Sequence, residues 1–432
     1  MSVLSDLRAV RRVIRNAVRS RGTRKQLEAR GSEAGLPAPG SIQIAVYFAD
    51  TRVNLYQIRQ WYAPLAELAK THPVAIVTRS PGASVTLLDE SPVPVVYRRR
   101  VTDLEQFVAS QDLRMVLYVN QNQKNFQMFR YGRMWHVFIN HGESDKMYMT
   151  TNQFKAYDYA FVAGQAATDR LSRKLWDFDV AKKALPIGRP QADHFAGEVP
   201  YPADERTVVL YAPTWEGDRP AAAYGSVASH GVALTAAVLA SSRHRLIYRP
   251  HPRSGVINAQ YRAANEKIIA AIAAANARDA SAQHVFDDGP SLGWQLAAAD
   301  VAITDISAMI YDRLATGKPL IVARPVSVDA EVDDEGYLGS ADWLLAADAG
   351  DVLALADRVL TDDAAQANLH FWAERHFGDT TPGAATERFH GAVEQLMTEW
   401  DRHAAIHVGD RRSSESDPLD DEDDEGLPPS GD

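Results

Sequence analysis

Two short apolar runs of this chain end in side chains able to grip an anion. Leu246-Ile247-Tyr248 closes on Arg249-Pro250-His251-Pro252, and Val301-Ala302-Ile303 closes on Thr304-Asp305-Ile306-Ser307. Arg249 and His251 offer charge-assisted donors, with the flanking prolines fixing the backbone at His251. Thr304 and Ser307 offer hydroxyls, and the helix that opens after Ser307 offers free N–H groups. That chemistry suits phosphate. If both runs are strands of one open α/β sheet, their carboxyl ends face one crevice, which is where ligands of such sheets bind. A nucleoside diphosphate is the natural guest.

The elements that must position these groups follow from hydrophobic periodicity. Strands are expected at Ile42–Phe48, Val74–Thr78, Val93–Tyr97, Met115–Val119, Val137–Asn140 and Tyr159–Ala163, alternating with helices at Asn54–Lys70, Asp103–Ser110, Asn125–Tyr131 and Gln165–Trp176. This spacing is that of βαβ units in a parallel sheet, and it predicts a first Rossmann-like domain over residues 41–190. Pro186 to Pro190 and Pro200-Tyr201-Pro202 interrupt the alternation. It resumes at Thr207–Tyr211 and predicts a second Rossmann-like domain over 205–375, with the two polar run ends in it and a helix near Tyr261–Ala275. Gly317 stops the helix after Ser307, and Lys318-Pro319 opens the next strand. Asp351–Leu360 and a closing helix over 384–405, with Phe389, Val393 and Leu396 on one face, finish the fold. The fold class expected is α/β, two Rossmann-like domains facing across a cleft, the glycosyltransferase B type.

Composition sets the outer limits. The 432 residues are 46% hydrophobic and 24% charged, which is folded globular protein with room for two domains. There is no cysteine, which removes disulfides, thiolate metal sites and a cysteine nucleophile and fits a reducing compartment. No apolar run approaches the length of a membrane span, and the start lacks the apolar core of a signal peptide, so the expected location is cytoplasmic. The net charge of -10 is unevenly placed. Residues 1–30 carry eight Arg and one Lys against Asp6 and Glu28, a balance of +7, with Leu7, Val10, Ile14, Ala17 and Val18 at helical spacing. They predict a basic amphipathic helix with affinity for an anionic membrane surface, on the inner face of the cell membrane; a solvated or partner-bound arm is the plainer reading. A linker follows at 31–40, and 411–432, with nine acidic residues from Glu415 on, is expected to be disordered. No nucleic-acid-binding motif is present. No His or carboxylate spacing is that of a metal site, so no tightly bound metal is expected, with Mg²⁺ admitted only alongside a phosphate ligand. His72, His244 and His284 read as surface or core residues, and oligomeric state is not legible.

Four segments, in this order and spacing, resemble the CDP-glycerol glycerophosphotransferase family of teichoic-acid polymerases and primases. They are His141-Gly142 followed by Lys146, Tyr211-Ala212-Pro213-Thr214-Trp215, Pro250-His251-Pro252, and Ala299 to Ser307 continuing to Tyr311-Asp312 and Lys318-Pro319. Gly378-Asp379-Thr380-Thr381-Pro382-Gly383 with Arg388 looks like a diverged form of the family's last motif. Departures are Asn140 where the family usually has Trp, Glu216 where it tends to have Arg, and Ala308 where it has a second Ser. The resemblance implies attack of an acceptor hydroxyl on the β-phosphate of CDP-glycerol or a related donor, releasing CMP. The acceptor would be a cell-envelope glycan or lipid-linked molecule. It implies His141 as general base and His251 as its catalytic partner on the phosphate side. Substrate contacts fall to Gly142, Lys146, Thr214, Trp215, Arg249, Thr304, Asp305, Ser307, Asp312 and Arg388. Thr214 and Trp215 would shape the cleft wall; Asp305 and Asp312 would contact substrate or accept backbone N–H bonds. A nucleotide-sugar glycosyltransferase, or a non-catalytic membrane-associated partner protein that keeps the fold, remains open at this point.

Overall fold

The computed structural model describes residues 37–143, 150–289, 292–332 and 336–407, with Gly22, Leu27 and Asp334. The expected basic helix over 1–30 (apart from Gly22 and Leu27, both helical), the acidic tail over 411–432 and Lys146 lie outside the described residues. Two all-parallel sheets carry the chain. The first holds β1 (Ile44–Phe48), β2 (Val74–Thr78), β3 (Val95–Tyr97), β4 (Met115–Tyr118), β5 (Trp135–Phe138), β6 (Tyr159–Val162) and β7 (Ala184–Pro186), in the order β3-β2-β1-β4-β5-β6-β7. The second holds β8 (Thr207–Ala212), β9 (His244–Tyr248), β10 (Val285–Phe286), β11 (Val301–Thr304), β12 (Leu320–Ala323) and β13 (Trp343–Leu344), in the order β10-β9-β8-β11-β12-β13. Helices cover both faces, so strands such as Ile-Ala-Val-Tyr-Phe in β1 are apolar at every position and buried at every position.

Each sheet starts at a central strand, grows to one side, and then restarts on the other. The strand order therefore reverses between β1 and β4, and between β8 and β11, and at such a switch the loops leaving the carboxyl ends diverge and open a crevice. In the second sheet Tyr211 pairs with Tyr248 and Ala212 with Thr304, so Pro213, Arg249 and Asp305 leave the sheet at one level. The two polar run ends legible in the sequence do share one edge. In the first sheet, Asn120 and Asn122 after β4 donate to Asp50 after β1 at 3.3 and 3.0 Å and fix that switch in the same way.

The single helix expected over Asn54–Lys70 is broken into a 3-10 turn at Arg52–Asn54 and helices at Leu55–Arg59 and Tyr62–Leu68. Pro64 causes the break, because it lacks an N–H and its ring crowds the carbonyl four residues earlier. The inner face is as expected all the same: Ile58, Trp61, Leu65 and Leu68 are buried. The closing helix, Ala384–Ile406, does not stay with the second sheet. It crosses back, and Phe389, Val393, Leu396 and Met397 enter the core of the first sheet beside Ile44, Trp61 and Leu65. The Trp61 and Phe389 rings lie 5.4 Å apart, and Trp135 Nε1 donates to the Leu396 carbonyl at 2.9 Å. No helix among the described residues is long and apolar enough to cross a membrane.

Candidate active site

On the second sheet, the residues at the switch first hold one another. Asp305 is fully buried, and one carboxylate oxygen accepts the N–H of Thr214 at 2.7 Å and of Ser226 at 3.0 Å. Burial pushes its carboxyl up to about 7 against those bonds. These bonds fix the loop that carries Thr214 and Trp215. The Thr304 hydroxyl beside it is also buried and has no partner among the described residues. Ser307 caps the helix Ala308–Leu314, its hydroxyl accepting from the Met309 N–H at 3.3 Å and donating to the Asp305 carbonyl at 3.2 Å.

Arg249 has partners within the protein. Its guanidinium is ion-paired with Asp287 and donates to the Gly289 carbonyl at 3.0 Å, so its charge is compensated inside the protein. His251 fares differently. Its Nδ1 receives the backbone N–H of Arg253 at 3.1 Å. A ring nitrogen that accepts must carry a lone pair, so the proton sits on Nε2. Burial first, and then the charge of Arg253, lowers the imidazole pKa below its usual 6.5. His251 is thus a neutral Nε2–H donor. Trp215 lies against it, with ring centroids 6.5 Å apart.

Glu216 accounts for the loop beneath His251. Its carboxylate accepts the N–H groups of Gly255 at 2.9 Å, Ile257 at 3.1 Å and Asn258 at 3.0 Å. Burial opposes its ionisation, but backbone donors outweigh that and hold the carboxyl below its usual value. Glu216 therefore anchors the segment that follows β9. Asn258 then caps the long helix Ala259–Arg278.

On the first sheet, His141 follows β5. Asn140 takes the left-handed conformation, φ 55°, and its side chain bridges the turn by accepting the His141 N–H at 2.8 Å and donating to the Gly142 carbonyl at 2.6 Å. Trp61 Nε1 donates to the Asn140 carbonyl at 2.5 Å. His141 Nδ1 lies 3.0 Å from the Val119 carbonyl, which can only accept, so Nδ1 carries the proton and Nε2 keeps its lone pair. Burial, and less strongly the charge of Arg189, lowers the His141 pKa below 6.5, so the neutral form prevails at neutral pH. Tyr56 meets the ring edge-on at 5.8 Å. The ring also lines a cavity of about 50 Å³, together with Trp61, Gly142, Arg189 and Phe377. A side-chain carbon at Gly142 would meet nothing within 4 Å among the described residues.

Two expected substrate contacts are engaged in structure. Asp312 is buried in an ion pair with Arg189, which also donates to Gln60 at 3.3 Å, so the pair joins the helix after β11 to the carboxyl edge of the first sheet. Burial raises the Asp312 carboxyl, with Arg189 opposing it. Arg388 donates to the carbonyls of Phe377 at 2.9 Å and Asp379 at 2.8 Å. A side chain at Gly188, which has φ 72°, would collide with that guanidinium. Arg189, Trp61 and Tyr56 were missed as parts of this site by sequence reasoning; Arg189 stands in a Gly-Arg-Pro turn that reads only as an interruption. Among the described residues, no group of three His, Asp or Glu is placed to hold a metal ion.

Comparison with known proteins shows what part of the chain resembles. Residues 139–327 match the family model described as CDP-Glycerol:Poly(glycerophosphate) glycerophosphotransferase, a span that takes in His141, Glu216, His251, Ser307 and Asp312. A search of curated proteins finds no match. Among solved structures, a histidine-to-asparagine variant of the wall teichoic acid polymerase TagF soaked with CDPG for 30 minutes is similar at 13% identity. That alignment has a TM-score of 0.52 and covers 93% of this chain and 99% of that one. A provisionally named UDP-N-acetylglucosamine 2-epimerase from Listeria monocytogenes is similar at 14% identity and TM-score 0.55, over 83% of this chain and 98% of that one. At such identities the two structures establish a shared fold, two parallel α/β sheets of the glycosyltransferase B kind, and nothing finer. The segments His141-Gly142, Pro250-His251-Pro252 and Thr304 to Asp312 all fall within residues 139–327, the part of this chain that is similar to the CDP-glycerol:poly(glycerophosphate) glycerophosphotransferase family.

Proposed function

We propose that the chain transfers glycerol phosphate, or a similar polyol phosphate, from a CDP-activated donor to a hydroxyl of a cell-envelope glycan or lipid-linked acceptor. The observation that supports this is the pair of opposed histidine tautomers within the family-matched span, a free Nε2 at His141 and an Nε2–H at His251. His141 Nε2 takes the proton of the acceptor hydroxyl as that oxygen attacks the β-phosphorus. The bond from that phosphorus to the bridging oxygen breaks, CMP leaves with the electron pair, and a phosphodiester remains. His251 Nε2–H donates to the phosphoryl oxygens as charge builds there, and the Ser307 hydroxyl joins it by turning its one proton from the Asp305 carbonyl to the phosphate. No step requires a tightly bound metal; Mg²⁺ arriving with the donor would add to the same stabilisation.

Product analysis tests the reaction. Incubation with CDP-glycerol and a hydroxyl acceptor should release CMP; release of a nucleoside diphosphate from a nucleotide sugar would replace phosphotransfer by glycosyl transfer, and no turnover of any donor would leave a non-catalytic protein.

Attachment to the inner face of the membrane belongs to the same proposal, and rests on the +7 balance of residues 1–30. Each basic residue held near anionic headgroups adds roughly 1 kcal/mol. The intact chain should therefore co-sediment with phosphatidylserine vesicles at low salt and lose binding at high salt, while a chain lacking residues 1–30 should stay in solution. Equal partition of both forms would remove the idea.

A further inference from the structure

We infer that Arg253 is the cation that receives the donor's diphosphate, an assignment that rests on the nucleotide-donor reading above. Arg249, which the sequence places at this edge, already has its charge compensated by Asp287 and one further N–H given to the Gly289 carbonyl. Asp287 is bound in turn by Gln295, so this polar group is already complete. Arg253 stands four residues further on with an exposed side chain, and no acidic side chain pairs with it among the described residues. Its guanidinium carbon lies 3.7 Å from the centroid of the Trp215 ring. Stacking of this kind holds the planar group against the indole and leaves its N–H edge directed outward, as a fork that matches two phosphate oxygens.

The backbone that presents Arg253 is held from three sides. Its own N–H donates to His251 Nδ1, which is what places the proton on His251 Nε2. The His251 N–H donates to the Pro213 carbonyl at 3.2 Å. Glu216 gathers the N–H groups of Gly255, Ile257 and Asn258. Because three donors meet that carboxylate, its charge is satisfied within the loop and does not confront an incoming phosphate. One loop therefore offers both a guanidinium and an Nε2–H beside the same indole. Two adjacent donors, one of them charged, fit a diphosphate better than a single phosphate.

Calorimetric titration of the full-length chain with CDP, CDP-glycerol and CMP tests the assignment. Arg253→Ala should bind CDP and CDP-glycerol about 10- to 100-fold more weakly, the loss expected for a hydrogen bond to a charged group, with a smaller change for CMP. Arg253→Lys, which keeps the charge but not the fork, should fall between. Since the side chain is exposed, both variants should melt as the wild type does. Wild-type affinity of Arg253→Ala for CDP would overturn the assignment and leave Arg253 as a cover for Trp215. If the wild type binds a different nucleoside diphosphate and not CDP, the cytidine reading fails, and the same loss with that nucleotide upholds Arg253.

Discussion

His141→Ala should lower kcat by about 100- to 10,000-fold, the range for a positioned general base, and leave CDP-glycerol affinity unchanged. The split follows from position. His141 stands on the first sheet after β5, whereas His251, Ser307 and Trp215 stand on the second, so the nucleotide loses no partner when the imidazole goes. The pH profile carries a second signature. A base must be neutral, and burial together with the Arg189 charge lowers the His141 pKa. The acid limb of kcat should accordingly lie below the usual imidazole value of 6.5 and should vanish from the residual activity of His141→Ala. Donor binding and CMP release measured on one preparation decide it. Collapse of donor binding with normal turnover at saturation would make His141 a phosphate ligand; no change in either would remove it from the mechanism.

Asp312→Ala should destabilise the fold by roughly 3–5 kcal/mol, since it strands a buried guanidinium without its counter-charge. Arg189 and Asp312 are 7% and 8% exposed in their side chains, so water cannot readily take Asp312's place. A double change, Arg189→Met with Asp312→Leu, should recover much of the loss, because apolar residues of similar volume need no partner. Activity need not return with stability. Arg189 also acts on the His141 charge, so its removal should move the acid limb upward toward the ordinary imidazole value. Urea melts and pH–rate profiles of the two variants check both statements. A single variant as stable as the wild type would mean that the pair does not tie the two sheets in solution.

The strands are legible because a parallel strand buried on both faces is written as an unbroken apolar run, and β1, β2, β4, β8 and β11 are all of this kind. Elements without that signature escape. The helix Pro81–Glu90 has little apolar periodicity, although Ser80-Pro81 announces it: Ser80 is the cap and proline takes the first turn. Asp363–Phe377 likewise rests on its cap, Asp362, which accepts the Ala365 N–H at 2.8 Å. Short edge strands such as Ala184–Pro186 and Trp343–Leu344 have too few residues to show a period. For the site, residue types at the strand ends could be read directly, but not what each group already holds. Arg249 meets Asp287 and Arg189 meets Asp312 only through the folded path of the chain, and no local pattern encodes either pairing. The His141 tautomer is equally nonlocal, being set by Val119, whereas that of His251 is set within a turn by Arg253, two residues on.

The return of the closing helix to the first sheet also governs how the protein can be made. Phe389, Val393, Leu396 and Met397 complete a core that begins at Ile44, and His72 and Glu394, 322 residues apart, bond at 2.9 Å. While the chain emerges from the ribosome, the part of this core that Phe389, Val393, Leu396 and Met397 complete must therefore stay open until the whole second sheet has been synthesised. Contacts so distant in sequence make for slow folding and a long exposure to aggregation. A nascent chain halted before Ala384 would hold the thirteen strands of the described residues and still lack the last part of its first core.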